Sequence, residues 1–312
     1  MQHALPFDPT YGYSPDQLLK VPAPAGPPDF AAFWRRTHAQ TLQIPLRLER
    51  RRIASPDARY DVFEVEFNSL DGVRVGGWVT IPADGKFDRA FVVGHGYGGR
   101  DAPDPGLLPP AAAIFPCARG FHRSARPDIP GDCFQHVLHG IASRETYVHR
   151  GCAAELWSAA SALLELYPAA ESRLNYYGGS FGGGMGALML PWDERFRRAF
   201  LDVPSFGHHP LRVTLPCVGS GKSVSEYFQG HPEVLDVLAY FDSATAARHT
   251  TTPVFVAAAV FDPAVPPPGQ FAVYNALAGP KELFVRRAAH FAHRHEAAEN
   301  RELTTRLQRW FA

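Results

Sequence analysis

Leu174-Asn175-Tyr176-Tyr177-Gly178-Gly179-Ser180-Phe181-Gly182-Gly183-Gly184-Met185-Gly186 is the stretch that decides how this chain is read. A short β-prone run enters a serine framed by glycines and leaves it in small residues suited to a closely packed helix. That is the strand, sharp turn and helix of a nucleophile elbow. The serine of such a turn is strained so that its hydroxyl stands clear of the backbone, and Gly178 and Gly182 let strand and helix pass without Cβ clashes. Ser180 is therefore the candidate nucleophile. With 27 glycines in the chain the Gly-x-Ser-x-Gly pattern is weak by itself, and its weight comes from its surroundings.

Working outward, Arg89 to Gly94 carries a continuous apolar run of the kind that suits a strand buried on both faces. It delivers His95-Gly96-Tyr97-Gly98-Gly99 at its carboxyl end. Further buried strands are expected at Ala111 to Ala118, Arg198 to Val203, Pro253 to Phe261 and Glu282 to Arg287. Tyr147 to Tyr167 has helical spacing, with Leu156, Ala159, Ala160, Leu163, Leu164 and Tyr167 on one stripe, and Glu296 to Phe311 reads as a closing amphipathic helix. Near the front, Asp29 is placed to cap a helix that carries Phe30, Phe33 and Trp34 on one side and Arg35 and Arg36 on the other. Tyr60 to Asn68 and Val73 to Pro82, joined through Asp71-Gly72, read as a hairpin.

An antiparallel entry followed by strand and helix alternation predicts the α/β class, with a mostly parallel sheet and helices on both faces. One domain over residues 1–312 is the economical reading, with an N-terminal arm and helix over 1–45 and a cap-like insertion over 204–252. The connection from Phe121 to Ile141 is long and irregular, which in a compact domain points to function.

The 312 residues hold 31 Lys plus Arg and 31 Asp plus Glu, so no broad basic face is forced and neither nucleic acid nor an anionic membrane is the expected partner. The opening Met1-Gln2-His3-Ala4-Leu5-Pro6-Phe7 has no positively charged segment followed by an apolar one, and no apolar run of roughly eighteen residues occurs. A soluble, cytoplasmic protein is the expectation. Cys117, Cys133, Cys152 and Cys217 include no C-x-x-C pair, so they read as ordinary thiols, with room for at most a disulfide among them and no zinc knuckle.

A serine hydroxyl needs a base to take its proton, and the base needs a carboxylate to orient it. Both follow Ser180 in chain order at expected strand ends: Asp262 after the run Val254 to Phe261, and His290 after the last strand. His293 and His295 compete with His290, which is favoured because it stands nearest the strand end; the other two read as solvated residues on the first turn of the closing helix. The developing oxyanion needs backbone donors, and the amides of Phe181 and Tyr97 are the candidates. His122, Asp132, His136 and His139 crowd the long loop, where a polar pocket wall is favoured over a metal site because their spacing is irregular.

These residues resemble the acetyl xylan esterase and cephalosporin C deacetylase family, carbohydrate esterase family 7 of the α/β-hydrolase superfamily. The resemblance runs through Asp29-Phe30 to Trp34, Gly77-Trp78, Gly96-Tyr97-Gly98-Gly99, Arg119-Gly120, His139-Gly140-Ile141, Gly178-Gly179-Ser180, Asp202-Val203-Pro204, Tyr240-Phe241-Asp242, Asp262 and Lys281-Glu282-Leu283. It implies the α/β-hydrolase fold and a deacetylase of small acetylated sugars or related esters, without metal or organic cofactor. It also implies Ser180, Asp262 and His290 as catalytic residues, Tyr97 and Phe181 as the oxyanion hole, Arg119, Phe121 and Pro204 on the substrate side, and a homo-oligomer, in this family a hexamer. Three departures stand out: Phe181 and Phe121 occupy positions where the family has Gln, and Phe291 follows His290 where the family has Glu. Phe121 and Phe181 are expected to pack on each other within about 7 Å. A broader carboxylesterase or a peptidase would use the same triad, and a non-catalytic binding protein on this scaffold is the reading of a different class.

Overall fold

The computed structural model describes residues 1–107 and 109–312. Nine strands form a single sheet: β1 Glu49–Ile53, β2 Tyr60–Asn68, β3 Arg74–Pro82, β4 Ala90–Gly94, β5 Ala112–Pro116, β6 Leu174–Gly179, β7 Arg198–Asp202, β8 Val254–Ala259 and β9 Lys281–Arg286. Their order is β1-β2-β3-β5-β4-β6-β7-β8-β9. The pairs from β1 to β5 along that order are antiparallel, and those from β5 to β9 are parallel. The expected hairpin forms in register Tyr60↔Pro82 to Asn68↔Arg74, turning through Asp71 and Gly72 at positive φ.

Alternation along the strands divides the core into two layers. Ala90 and Val92 join a large cluster with the helices Phe30–Leu42, Val148–Leu166 and Phe181–Met189, whereas Phe91 and Val93 join Leu303, Leu307 and Phe311 of the helix Glu296–Trp310 and the residue after it. The helix Val148–Leu166 is buried almost all round from Val148 to Leu163 rather than along one stripe. It lies between the sheet and Phe30–Leu42, where Trp34 and Trp157 meet edge to face at 6.2 Å.

Two readings are corrected, and the reading of the cysteines holds. The strand β1 was not anticipated, because Glu-Arg-Arg-Arg-Ile is mostly exposed and carries no apolar alternation; it is a charged edge whose Arg51 and Arg52 pair with Glu64 and Asp61 of β2. Asp29 precedes its helix but makes no side-chain cap; its carboxylate instead takes Arg144 at 2.9 Å and the Tyr240 hydroxyl. All four cysteines are free thiols, Cys133 half-buried and the others buried. Among the described residues no helix is long and apolar enough to cross a membrane.

The arm is tied down at widely separated places. The Tyr11 hydroxyl donates to the Pro216 carbonyl at 2.7 Å, the Asp262 amide donates to the Pro9 carbonyl, and Asn275 donates to the carbonyls of Leu18 and Val21 at 2.9 Å. Within 204–252 the chain forms the short helices His209–Arg212, Gly221–Gly230, Val234–Leu238 and Ser243–Ala247.

An ion pair buried in this core joins the loop after β5 to the helix Val148–Leu166. Arg119 Nε donates to Glu155 at 2.5 Å, its amide to the same carboxylate at 3.0 Å, and its Nη2 to the Leu70 carbonyl at 3.1 Å. Removing Glu155 leaves the buried Arg119 with only the more distant and exposed Asp71 carboxylate, at 3.6 Å. Glu155→Ala is expected to destabilise the protein by about 3–5 kcal/mol; a urea-unfolding loss below about 1 kcal/mol would show that Asp71 or water relieves Arg119.

Candidate active site

β6 ends at Gly179, and Ser180 follows at φ 53°, ψ −113°, a conformation L-residues avoid. The turn is held open by close backbone contacts. The Ser180 amide donates to the Asp202 carbonyl at 2.8 Å and the Gly182 amide to the His95 carbonyl at 2.9 Å. A Cβ at Gly178 would stand 2.7 Å from the Gly182 carbonyl carbon, and one at Gly182 would stand 2.8 Å from that of Gly94. Only glycine fits at either position.

His290 Nε2 lies 3.2 Å from Ser180 Oγ, and its Nδ1 lies 3.0 and 2.9 Å from the two Asp262 oxygens. Asp262 is fully buried. It accepts from the amides of Ala264 and Val265 and from Gln270 Nε2, each at 2.9 Å. Burial pushes its carboxyl pKa up against the opposing pull of His290 and the amides of Val265 and Ala264. Burial, the largest influence, would lower the pKa of His290, but the hydrogen bond to Asp262 together with the charges of Asp262 and Asp202 outweighs it and raises the pKa above the usual 6.5. Gln270 is a member the sequence did not reveal: it sits in the helix Pro267–Ala276 and also accepts from the Ala259 amide at 2.8 Å.

His293 and His295 bond to neither Ser180 nor Asp262, and both precede the closing helix rather than opening it. His293 is not solvated as expected: its ring is 6% exposed and faces Glu299 at 4.0 Å. His295 accepts from Arg294 at 2.8 Å.

The amides of Tyr97 and Phe181 donate to no protein group among the described residues, and both peptide planes are anchored from the opposite side. The Gly96 carbonyl, in the plane that bears the Tyr97 amide, accepts from His95 Nδ1 at 2.6 Å. The Ser180 carbonyl, in the plane of the Phe181 amide, accepts from the amides of Ser205 and Gly184 at 3.1 and 3.0 Å. Because a trans peptide points its N–H away from its C=O, each anchor fixes a donor direction. His95 Nε2 accepts from the Ala118 amide at 2.9 Å, so this ring also couples the loops after β4 and β5. Burial pulls its pKa down to about 3, which keeps it neutral.

Around these amides lies an aromatic layer. The Tyr97 ring stacks on Phe181 at 4.2 Å, and its hydroxyl lies 3.1 Å from His136 Nδ1 and 2.9 Å from His149 Nε2. The tautomers follow in sequence. His136 Nε2 lies 2.9 Å from the Arg119 carbonyl, which can only accept, so its Nδ1 carries a lone pair and receives the Tyr97 proton. The Tyr97 oxygen then accepts from His149 Nε2–H, leaving the lone pair of His149 on Nδ1. Phe121 and Phe181 do not pair directly, contrary to expectation: His95, Tyr97 and His136 lie between them, each contacting both rings.

The three residues expected on the substrate side are buried. The Arg119 guanidinium is turned inward to Glu155 because a cation at that depth needs a carboxylate. Phe121 packs on His136 at 4.7 Å. Pro204 lies against the elbow helix, its Cα 3.0 Å from where a Cβ at Gly183 would be. The polar groups of the long loop diverge: Asp132 caps the turn Cys133–His136, His122 meets Asp101 at 2.7 Å, and His136 bonds to Tyr97. Among the described residues no group of three or more His, Cys, Asp or Glu is placed to hold a metal ion. Asp202, at the end of β7, accepts both arms of Arg286 at 2.8 and 2.9 Å and ties β7 to β9 beside the elbow.

Comparison with known proteins places this arrangement. A family model described as acetyl xylan esterase (AXE1) matches residues 14–309. The acetyl esterase Axe7A of Xylanibacter ruminicola is 21% identical over 293 residues, covering 88% of this chain and 65% of that protein, so the chain spans about two thirds of its relative's length. The acetyl xylan esterase from Paenibacillus sp. R4 superposes with a TM-score of 0.77 at 24% identity, over 94% of this chain and 99% of that one. Acetyl xylan esterase 1 from Thermoanaerobacterium sp. JW/SL YS485 does so with a TM-score of 0.80 at 18% identity, over 96% and 99%. The fold is that of the α/β-hydrolases, and the chain belongs to the acetyl xylan esterase (AXE1) family.

Proposed function

We propose that this protein is a serine carboxylic-ester hydrolase that removes acetyl or other short acyl groups from small acetylated sugars or related esters. The observation that carries the reading is the unbroken chain from Ser180 Oγ through His290 to the buried Asp262. Membership of the acetyl xylan esterase family supports the acyl group.

In this reading His290 takes the Ser180 proton on Nε2 as Oγ attacks the ester carbonyl, and Asp262 holds the ring with Nδ1–H inward. The oxyanion settles between the amides of Tyr97 and Phe181, whose anchored peptide planes need little reorganisation. His290 returns its proton to the leaving alcohol. Water, activated by the same ring, then hydrolyses the acyl-enzyme and frees Ser180.

Hydrolysis of p-nitrophenyl esters of increasing chain length tests the reading. Acetate is expected to be the best substrate, and Ser180→Ala to lower kcat by about 10⁴-fold or more. A preference for acyl chains well beyond acetyl would remove the deacetylase reading, and undiminished activity of Ser180→Ala would remove the nucleophile. The base works only when neutral. Since Asp262 raises the pKa of His290 above 6.5, kcat/KM is expected to fall with acid through a midpoint above pH 6.5. A midpoint at or below that value would mean that the Asp262 contact does not govern the base.

A further inference from the structure

Arg212 ends the short helix His209–Arg212 and is 5% exposed, as deeply buried as Arg119. Arg119 has Glu155. Arg212 forms no ion pair among the described residues, and its Nε and Nη1 are buried without an acceptor. A charge at that depth with no counter-charge is strongly disfavoured, so a group outside the chain is called for. Gly221 makes room for the guanidinium, since a Cβ there would stand 2.8 Å from Nη2.

Three more buried polar atoms without partners belong to side chains of the same neighbourhood: the Tyr147 hydroxyl, His149 Nδ1 and His209 Nδ1. His149, His209 and Arg212 gather about the Phe206 ring, and Tyr147 packs on His149. His149 lies 4.5 Å from Phe206, His209 stacks on it at 6.3 Å, Arg212 Cζ stands 5.3 Å over it, and Tyr147 lies 4.4 Å from His149. Phe206 is in turn 6.0 Å from Phe181 and 6.2 Å from Tyr97. The cluster thus stands one aromatic layer from the residue that follows Ser180.

The atom types define what would satisfy it. His209 Nε2 faces the Phe241 carbonyl at 3.3 Å, so it carries the proton and Nδ1 carries a lone pair, as does His149 Nδ1 by the chain through Tyr97. Burial keeps both rings neutral, His209 with a pKa of about 3. Arg212 offers donors and a positive charge, Tyr147 a further donor, and the two histidines offer acceptors. Water would meet the hydrogen bonds but not the charge. A carboxylate meets Arg212 with fork geometry, and neighbouring hydroxyls meet the histidines.

We propose that Arg212, Tyr147, His149 and His209 form a subsite for a hydroxy-carboxylate, such as an acidic sugar, carried by the alcohol part of the ester. The proposal rests on the esterase reading of Ser180 but binds a group that does not react. Binding is therefore tested without turnover, by thermal shift of the full chain with D-glucuronate against D-glucose. Glucuronate is expected to raise the melting temperature more than glucose, and Arg212→Gln to erase the difference. Turnover is compared for 4-acetoxybenzoate and 4-acetoxybenzamide. The anionic ester is expected to have a KM lower by roughly tenfold or more, with the ratio falling toward one in Arg212→Gln and to an intermediate value in Arg212→Lys, which also serves if the Gln variant does not fold. Arg212-dependent glucuronate binding without hydrolysis of either ester would overturn the esterase reading and keep the subsite. Equal shifts by the two sugars, or a charge preference unchanged in the Arg212 variants, would overturn the subsite.

Discussion

Three backbones converge where Gly94, Gly178 and Gly182 meet, and everything at the site depends on that approach. With no Cβ in the way, the end of β4, the end of β6 and the first turn of the elbow helix touch through carbonyl and amide groups. The Tyr176 hydroxyl locks the crossing by donating to the Gly182 carbonyl at 2.5 Å. The strained geometry of Ser180 is held by these contacts and by the amide bond to Asp202, not by its own side chain. Because β4 and β6 are adjacent and parallel, the same crossing brings the Tyr97 loop beside the Phe181 amide.

A second layer converts that geometry into fixed directions. His95 and the Ser205 amide each hold the carbonyl end of a peptide, that of Tyr97 and that of Phe181, whose N–H donates to no protein group among the described residues. Tyr97 is held at its other end by His136 and His149. With phenylalanines at 121 and 181, this layer is aromatic, and its polar side-chain atoms are imidazole nitrogens and the Tyr97 hydroxyl rather than carboxamides. The absence of a glutamine leaves no buried carboxamide to satisfy, and the rings meet through histidine and tyrosine instead of through each other.

Much of this was legible in the sequence, and what was not has physical causes. The elbow, the hairpin at Asp71-Gly72 and the buried parallel strands announce themselves by local pattern, and Asp262 and His290 by their order after strand ends. The edge strand β1 has a polar, exposed sequence that no periodicity marks. Gln270, Asp202 with Arg286, and the tautomer chain through Tyr97 depend on partners far apart in sequence, and no local signal encodes them. Arg119, Phe121 and Pro204 were placed on the substrate side by the family resemblance alone, whereas all three are buried and Arg119 turns to Glu155. His293 was judged by its neighbours in sequence, whereas its buried ring faces Glu299, a turn and more away.

The contacts of the arm bear on the order in which the site comes together. Tyr11 reaches Pro216 and Leu18 reaches Asn275 across more than two hundred positions, and the carbonyl of Pro9 sits on the amide of Asp262 itself. Closures of that length are entropically late events. The sheet and elbow can form from nearer contacts, but the surroundings of Asp262 are finished only when the first residues of the chain have folded back onto one of its last strands. The arm is therefore a latch on Asp262, closed from more than two hundred positions away in the chain.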